Sequence, residues 1–392
     1  MPTPSDPTAA TAEHTTPAMP AMPATPTMPA TPATSAPATT SARDERAERG
    51  LGAGERYARQ TLFAGIGQQG QERISRGRVL IVGCGALGSV LANNLARAGV
   101  GHLRIADRDY VEGNNLQRQV LYVEDDVRRG MPKATAAAEY LRRVNGLITI
   151  EPLVTDVTVE NVEELIEGMD VVLDGTDNFE TRYLLNDACL KAGVPWIYSG
   201  VIAAYGVTLA VLPGETACLR CVFPERPLPG TTPTCDTAGV LNGIVGVIAG
   251  MASTEAMKLL VGSPQLVRGM TWVDLWENTF DRIELPRQPD CPACGRGEYE
   301  YLDAPIDESG TALCGRNAVQ VRPPRVAAGA GLDLAALAER LAPVGEVASN
   351  GFLLRLRVDG YDVTVFPDAR AIIKGTDDLA LARGVYAKYV GM

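Results

Sequence analysis

Val79-Leu80-Ile81-Val82-Gly83-Cys84-Gly85-Ala86-Leu87-Gly88 is the stretch of this chain that decides its fold. Four large aliphatic residues in a row read as a strand buried on both faces. The Gly83-x-Gly85-x-x-Gly88 spacing then reads as a tight turn into a helix, whose first backbone N–H groups can hold a phosphate. Asp107, nineteen residues past Gly88, supplies a carboxylate at the spacing suited to a ribose. By themselves these features suit a nicotinamide-dependent oxidoreductase as well as an ATP-using enzyme.

Working outward, apolar β-branched runs alternate with helical patterns. Strands are expected at Arg78–Val82, His102–Ala106, Ile148–Val154 and Asp170–Leu173, and helices at Leu87–Ala98, Lys133–Val144, Val159–Gly168 and through Lys191. This alternation predicts an α/β fold, a Rossmann-like doubly wound and mostly parallel sheet, with the loops at Gly83 and Asp177 opening on one crevice. Ala238–Gly262 is long and apolar, but Asn242, Thr254, Glu255 and Lys258 argue for a buried core helix over a membrane span, with Gly243, Gly246 and Gly250 as a close-packing face. Farther on, strands at Asn317–Val321, Phe352–Val358, Tyr361–Phe366 and Ala371–Lys374 and helices at Leu334–Leu341 and Asp377–Tyr389 form a small C-terminal α/β domain, with Asp359-Gly360 as a hairpin turn. The expected organisation is a tail at 1–50, a nucleotide-binding domain at 51–300, a linker at 301–313 and the small domain at 314–392.

The tail is almost entirely Ala, Pro, Thr, Ser and Met as far as Thr40, too poor in large apolar groups to offset the entropy of ordering, and is expected to be disordered. It has neither the basic start and apolar segment of a secretion signal nor the arginines of a transit peptide, so a cytoplasmic location is expected. The net charge of −11 argues against a non-specific nucleic-acid binder, whose affinity comes from basic residues facing phosphates.

The residues after Asp107 favour ATP. Arg118 and Lys133 suit a triphosphate and the charge that develops as pyrophosphate leaves, although either one alone would pass for surface charge. Asp177, beside Asn178 at a strand end, is a candidate Mg2+ ligand or helix cap. Cys218-x-x-Cys221 and Cys291-x-x-Cys294 read as a four-thiolate Zn2+ site assembled across 69 intervening residues, with a redox dithiol as the competing reading. Four cysteines would leave no position open for water, so the metal would be a structural staple. Cys84 and Cys189 read as small packing residues.

From Arg56 to Gly295 the chain resembles the ThiF/MoeB/HesA family, the bacterial relatives of ubiquitin-activating enzymes. The resemblance rests on Arg56-Tyr57-x-Arg59-Gln60, the glycine loop, Asn115-Leu-Gln-Arg118-Gln119, Leu173-Asp-x-Thr-Asp177-Asn178 and both cysteine pairs. It implies adenylation of the C-terminal Gly-Gly carboxylate of a ubiquitin-like sulfur carrier (ThiS- or MoaD-like), preparing a thiocarboxylate for thiamine, molybdopterin or tRNA thiolation. It further implies phosphate contacts along Gly83, Gly85, Ala86 and Gly88, ribose contact at Asp107, ATP contacts at Asn115, Arg118 and Lys133, and Mg2+ at Asp177. Arg59 is implied to reach the neighbouring subunit's site, which makes a homodimer necessary. Cys235 matches a sulfur-transfer position, and a cysteine desulfurase or another sulfur donor is an implied partner. Ala86 stands where several relatives have glycine. Cys314 resembles the start of the extension in longer members, where it could relay a persulfide. A catalytically silent zinc-stapled adaptor is the reading from a different functional class.

Overall fold

A computed structural model describes residues 52–227, 235–304, 311–313, 317–321 and 332–391. The tail, Cys314 and the side chain of Cys235 lie outside the described residues.

The first sheet contains β1 (Arg78–Val82), β2 (His102–Ala106), β3 (Thr149–Leu153), β4 (Val171–Asp174), β5 (Trp196–Ile202), β6 (Tyr205–Val211), β7 (Met270–Asp274) and β8 (Thr279–Ile283), in the order β3-β2-β1-β4-β5-β6-β7-β8. The first five strands in that order are parallel; β6, β7 and β8 are antiparallel. Along β1 the period of two sorts side chains cleanly between two cores. Val79 and Ile81 enter one, Leu80 and Val82 the other.

Among the described residues, three short helices precede the sheet: α1 (Ala53–Arg56), α2 (Ala58–Thr61) and α3 (Gly67–Ile74). Those that follow are α4 (Ala86–Ala98), α5 (Glu124–Arg129), α6 (Lys133–Val144), α7 (Val162–Ile166), α8 (Phe179–Ala192), α9 (Leu219–Val222), α10 (Cys235–Ala238) and α11 (Asn242–Val261). Leu91 and Leu95 of α4, Leu141 of α6 and Ile244 and Ile248 of α11 share the Val79/Ile81 core, while Val162 of α7 and Tyr183 of α8 cover the opposite face. Each such fully buried aliphatic side chain contributes about 2 kcal/mol.

The apolar helix α11 is long enough to cross a membrane by length and composition. Here it packs Ile244, Val245, Ile248, Ala249 and Ala252, all with no exposed surface, into the sheet core. Of the expected glycine face, Gly243 packs closely, with a Cβ there 3.3 Å from Leu275, while Gly246 and Gly250 do not. A Cβ at Gly246 or Gly250 would meet nothing within 4 Å, because the β-branched and alanine positions one step round the helix provide the contact surface.

The second sheet holds β9 (Thr311–Leu313), β10 (Ala318–Val321), β11 (Glu346–Ser349), β12 (Leu354–Val358), β13 (Tyr361–Val365) and β14 (Ala371–Lys374), antiparallel in the order β11-β12-β13-β14-β10-β9. Helices α12 (Leu334–Leu341) and α13 (Leu379–Tyr389) cover one face. Asp359 and Gly360 both take positive φ, 51° and 82°, and turn β12 into β13 as expected of a two-residue hairpin. Strands β9 and β11 were not expected. β9 pairs with β10, so the second sheet already begins inside the segment read as linker.

Candidate nucleotide site and cysteine cluster

The glycine loop is built by backbone meeting backbone. Gly83 has φ 83°, and a Cβ there would lie 2.7 Å from the Gly175 carbonyl oxygen. A Cβ at Gly88 would lie 1.8 Å from the Gly83 oxygen, so neither position accepts a side chain. This contact brings the loop after β4 against the loop after β1, the expected crevice at the strand ends. At Gly85 the nearest atom to a Cβ would be Nε2 of Gln119, 3.8 Å away, and Gly85 gives α4 no side-chain cap. With Ala86 opening α4, the helix N-terminus therefore presents backbone donors to the crevice.

Asp107 is buried, and its carboxylate accepts from the Cys84 N–H at 2.5 Å and the Asp109 N–H at 2.6 Å. Burial pushes its pKa up, opposed chiefly by the Lys133 charge. Lys133, 5% exposed, reaches Asp109 Oδ2 at 3.1 Å from the first turn of α6. The Tyr122 hydroxyl donates to the Cys84 carbonyl at 2.6 Å, tying the segment after Arg118 to the loop. Cys84 is pushed up to about 12 by burial, and burial also raises Cys189, so both behave as inert packing residues.

Asn115 is buried in a single 3-10 turn at Gly113–Asn115, closed by reciprocal hydrogen bonds with Glu112. Arg118 donates to the Asn114 carbonyl at 2.8 Å, but its Nε is buried without a partner, as is Gln119 Oε1 beside the glycine loop. Buried polar atoms left unpaired at a crevice are what a polar ligand would satisfy.

Across the crevice, Asn178 caps α8 by accepting from the Thr181 N–H at 2.8 Å, which leaves Asp177 exposed at the mouth. The loop beneath it is held by a pair the sequence reading missed. Asp174, fully buried, meets Arg182 Nε at 3.1 Å and accepts from both donors of Thr176. Arg182 also donates to the carbonyls of Thr176 and Ser199, and lies over the rings of Phe179 and Tyr198. The only sequence hint is an arginine three residues inside an otherwise sheet-covering helix.

The four cysteines do meet. Their sulfurs all lie within 4.8 Å of one another, with Cys218–Cys291 at 3.6 Å, Cys221–Cys294 at 3.4 Å and Cys218–Cys221 at 3.9 Å. A tetrahedral Zn2+ with bonds of about 2.3 Å requires sulfurs about 3.8 Å apart, so the donor set and spacing fit that ion. Burial and the neighbouring sulfurs raise the Cys218 pKa, a cost to its thiolate that a bound cation would offset.

The ThiF family model matches residues 57–293. The chain belongs to the ThiF family. Among its curated relatives, the sulfur carrier protein ThiS adenylyltransferase of Bacillus subtilis is 43% identical over 339 residues, covering 86% of this chain and 99% of that protein. The SAMP-activating enzyme E1 of Haloferax volcanii is 41% identical over 64% of this chain and 92% of its own length. The pig adenylyltransferase and sulfurtransferase MOCS3 is 40% identical over 61% of this chain and 53% of its own. Among solved structures, E. coli MccB aligns with a TM-score of 0.55 at 22% identity, over 63% of this chain and 76% of that one, which shows a shared fold.

One residue singled out through the ThiF resemblance, Arg59, stands apart from the crevice. Arg59 is exposed on α2, whose Gln60 bonds the Ala98 carbonyl while Tyr57 packs on Gly99. That is the C-terminal end of α4, a 13-residue helix about 20 Å long, whose other end carries the glycine loop. The structure therefore does not bring Arg59 to its own chain's site. Cys235 begins α10 in the connection to α11.

Proposed function

We propose that this ThiF-family chain is an ATP-dependent adenylyltransferase that activates the C-terminal Gly-Gly carboxylate of a ubiquitin-like sulfur carrier. The observation that supports the reading is loop backbone with no room for side chains at Gly83 and Gly88, tied through Asp107 and Asp109 to the buried Lys133. Arg118 and Lys133 suit a triphosphate and its leaving pyrophosphate better than a dinucleotide's diphosphate.

In the reaction, a carrier carboxylate oxygen attacks the α-phosphorus of ATP, and the bond to the bridging oxygen of pyrophosphate breaks to leave an acyl-adenylate. Loop N–H groups at Gly85, Ala86 and Gly88 receive phosphate oxygens, Asp107 faces the ribose, Asn115 contacts ATP through its amide, and Arg118 and Lys133 neutralise the charge moving onto pyrophosphate. Asp177, with Asn178 holding its loop on α8, is the carboxylate that would hold Mg2+, an ion that supplies charge neutralisation at the phosphates when bound. The protein's contribution is positioning and fixed charge. Zn2+ at Cys218, Cys221, Cys291 and Cys294 would be a staple. Arg59 is assigned to a second copy's crevice in a homodimer, and Cys235 to later sulfur transfer from a cytoplasmic donor such as a cysteine desulfurase. The near-complete match to a ThiS adenylyltransferase supports a ThiS-like carrier first, ahead of molybdopterin and tRNA-thiolation carriers.

The test is ATP–pyrophosphate exchange by the purified protein with each carrier and its Gly-Gly-truncated form. Exchange is expected only with an intact terminus, and Asp177→Ala should lower it by about a hundredfold or more while Cys235→Ala leaves it unchanged. Wild-type exchange by Asp177→Ala would overturn the Mg2+ assignment; no exchange with any carrier would restore the adaptor reading.

A further inference from the structure

The C-terminal domain holds the same piece of chain that carries the proposed ATP contacts. Between β2 and α6 the segment from Arg108 to Met131 is short of regular structure, containing one 3-10 turn and the six-residue α5. The second sheet grips it at three places. Arg370, 3% exposed, donates to the Arg108 carbonyl at 3.1 Å and to Gln320 Oε1 at 3.3 Å, while Gln320 donates to Asp156, the ion-pair partner of Arg108. Lys374 pairs with Glu112. Asn350 donates to the carbonyls of Arg129 and Gly130.

Between these points Tyr110 inserts into an apolar socket of Ala318, Leu353, Phe366 and Ile372, with the Arg355 guanidinium 4.4 Å from its ring centroid. Two short paths lead from this held segment to proposed ATP contacts. Tyr110 bridges Pro132, and the Asp109 carbonyl accepts the Lys133 N–H at 2.9 Å while the Asp109 carboxylate holds the Lys133 ammonium. Glu112, held by Lys374, closes the turn that contains Asn115 and precedes Arg118. A buried guanidinium aimed at a main-chain carbonyl of another domain fixes backbone, since losing it would leave polar groups buried and unpaired.

We propose that the C-terminal domain is a positioning clamp for the nucleotide site, with Arg370 and Lys374 as positioning residues that set Lys133, Asn115 and Arg118 through the Arg108–Glu112 segment. The clamp rests on the reading that this crevice holds ATP. It sets ATP affinity without touching ATP, and it gives the second domain a role in the first step, independent of carrier or sulfur donor.

The experiment uses the full chain and measures ATP affinity by calorimetry, KM and kcat by ATP–pyrophosphate exchange, and the thermal midpoint. Arg370→Met and Lys374→Met are each expected to raise Kd and KM for ATP about tenfold, with a smaller change in kcat. Arg370→Lys should recover part of the loss. Lys388→Met, which breaks a surface pair with Asp359 in the same domain, should leave ATP affinity at the wild-type value. Wild-type ATP affinity in folded Arg370→Met and Lys374→Met proteins would overturn the clamp, and if Arg370→Met does not fold, Lys374→Met decides alone. A wild-type protein that binds ATP but exchanges with no carrier would sink the adenylation reading and leave the affinities to judge the clamp; one that binds no ATP would sink both.

Discussion

Asp174 has no exposed surface, and Arg182 and the two Thr176 donors surround it. Burial pushes the Asp174 pKa up and the arginine pulls it back down. Arg182→Met removes the compensation and should cost about 3–5 kcal/mol of stability, the usual loss when one half of a buried pair is left behind. The sign of its pH dependence follows from the raised carboxyl. The folded variant binds a proton that the unfolded chain has already released, so stability falls as pH rises and the loss is greater at pH 8 than at pH 5. Urea denaturation of the variant at both pH values checks this, and an equal loss at each would refute the argument. Asp174→Asn combined with Arg182→Met should recover part of the loss. Single residues were legible in the sequence where the signal was local. Gly83, Gly88 and Asp107 fall at spacings dictated by one strand, one turn and one helix. Asp174 and Arg182 meet across a loop that folds back on itself, and no spacing announces that. Tyr122 escaped notice for the same reason, since its hydroxyl finds Cys84 from 38 positions away.

Elements follow the same division. Strands β1, β2 and β4 and helices α4 and α6 were readable because burial on both faces of a parallel sheet forces long apolar runs. Strand β11, Glu346–Ser349, sits at a sheet edge with three of its four residues exposed, so its sequence carries no alternation. Gly246 and Gly250 of α11 lie off its packed face because the neighbouring Ile, Val and Ala positions already fill the core. The cysteine pairs were legible as donors, while their meeting depended on α9 and the segment after β8 arriving together. Leu219 is held there by the Asn186 side chain, and Tyr301 by Asp187. The cluster thus ties α9 and the segment after β8 to α8. We expect one Zn2+ per chain by elemental analysis. Cys291→Ser should abolish tight binding and lower the thermal midpoint by several degrees, equivalent to a loss of about 2 kcal/mol or more. Stoichiometric zinc retained by that variant would argue against a four-cysteine site.

At the scale of the molecule, the proposal that Arg59 serves a second copy's crevice makes a dimer the unit of activity. Arg59 stands at the end of α4 opposite the glycine loop, a separation longer than an arginine side chain. Leu62 and Phe63, just beyond it, are 80% and 65% exposed, an apolar surface that a second copy would cover. If Arg59 completes a neighbour's crevice, then Arg59→Ala and Asp177→Ala chains are each inactive alone but complementary in one dimer. A mixed dimer has one crevice with both defects and one with neither. After denaturation and co-refolding of equal amounts, half of the dimers are mixed, so exchange activity should return to about a quarter of the wild-type value. Recovery of that size requires both a dimer and an arginine working across its interface. Mixed dimers, verified with two affinity tags, that remain as inactive as their parents would assign Arg59 to its own chain or to no catalytic role.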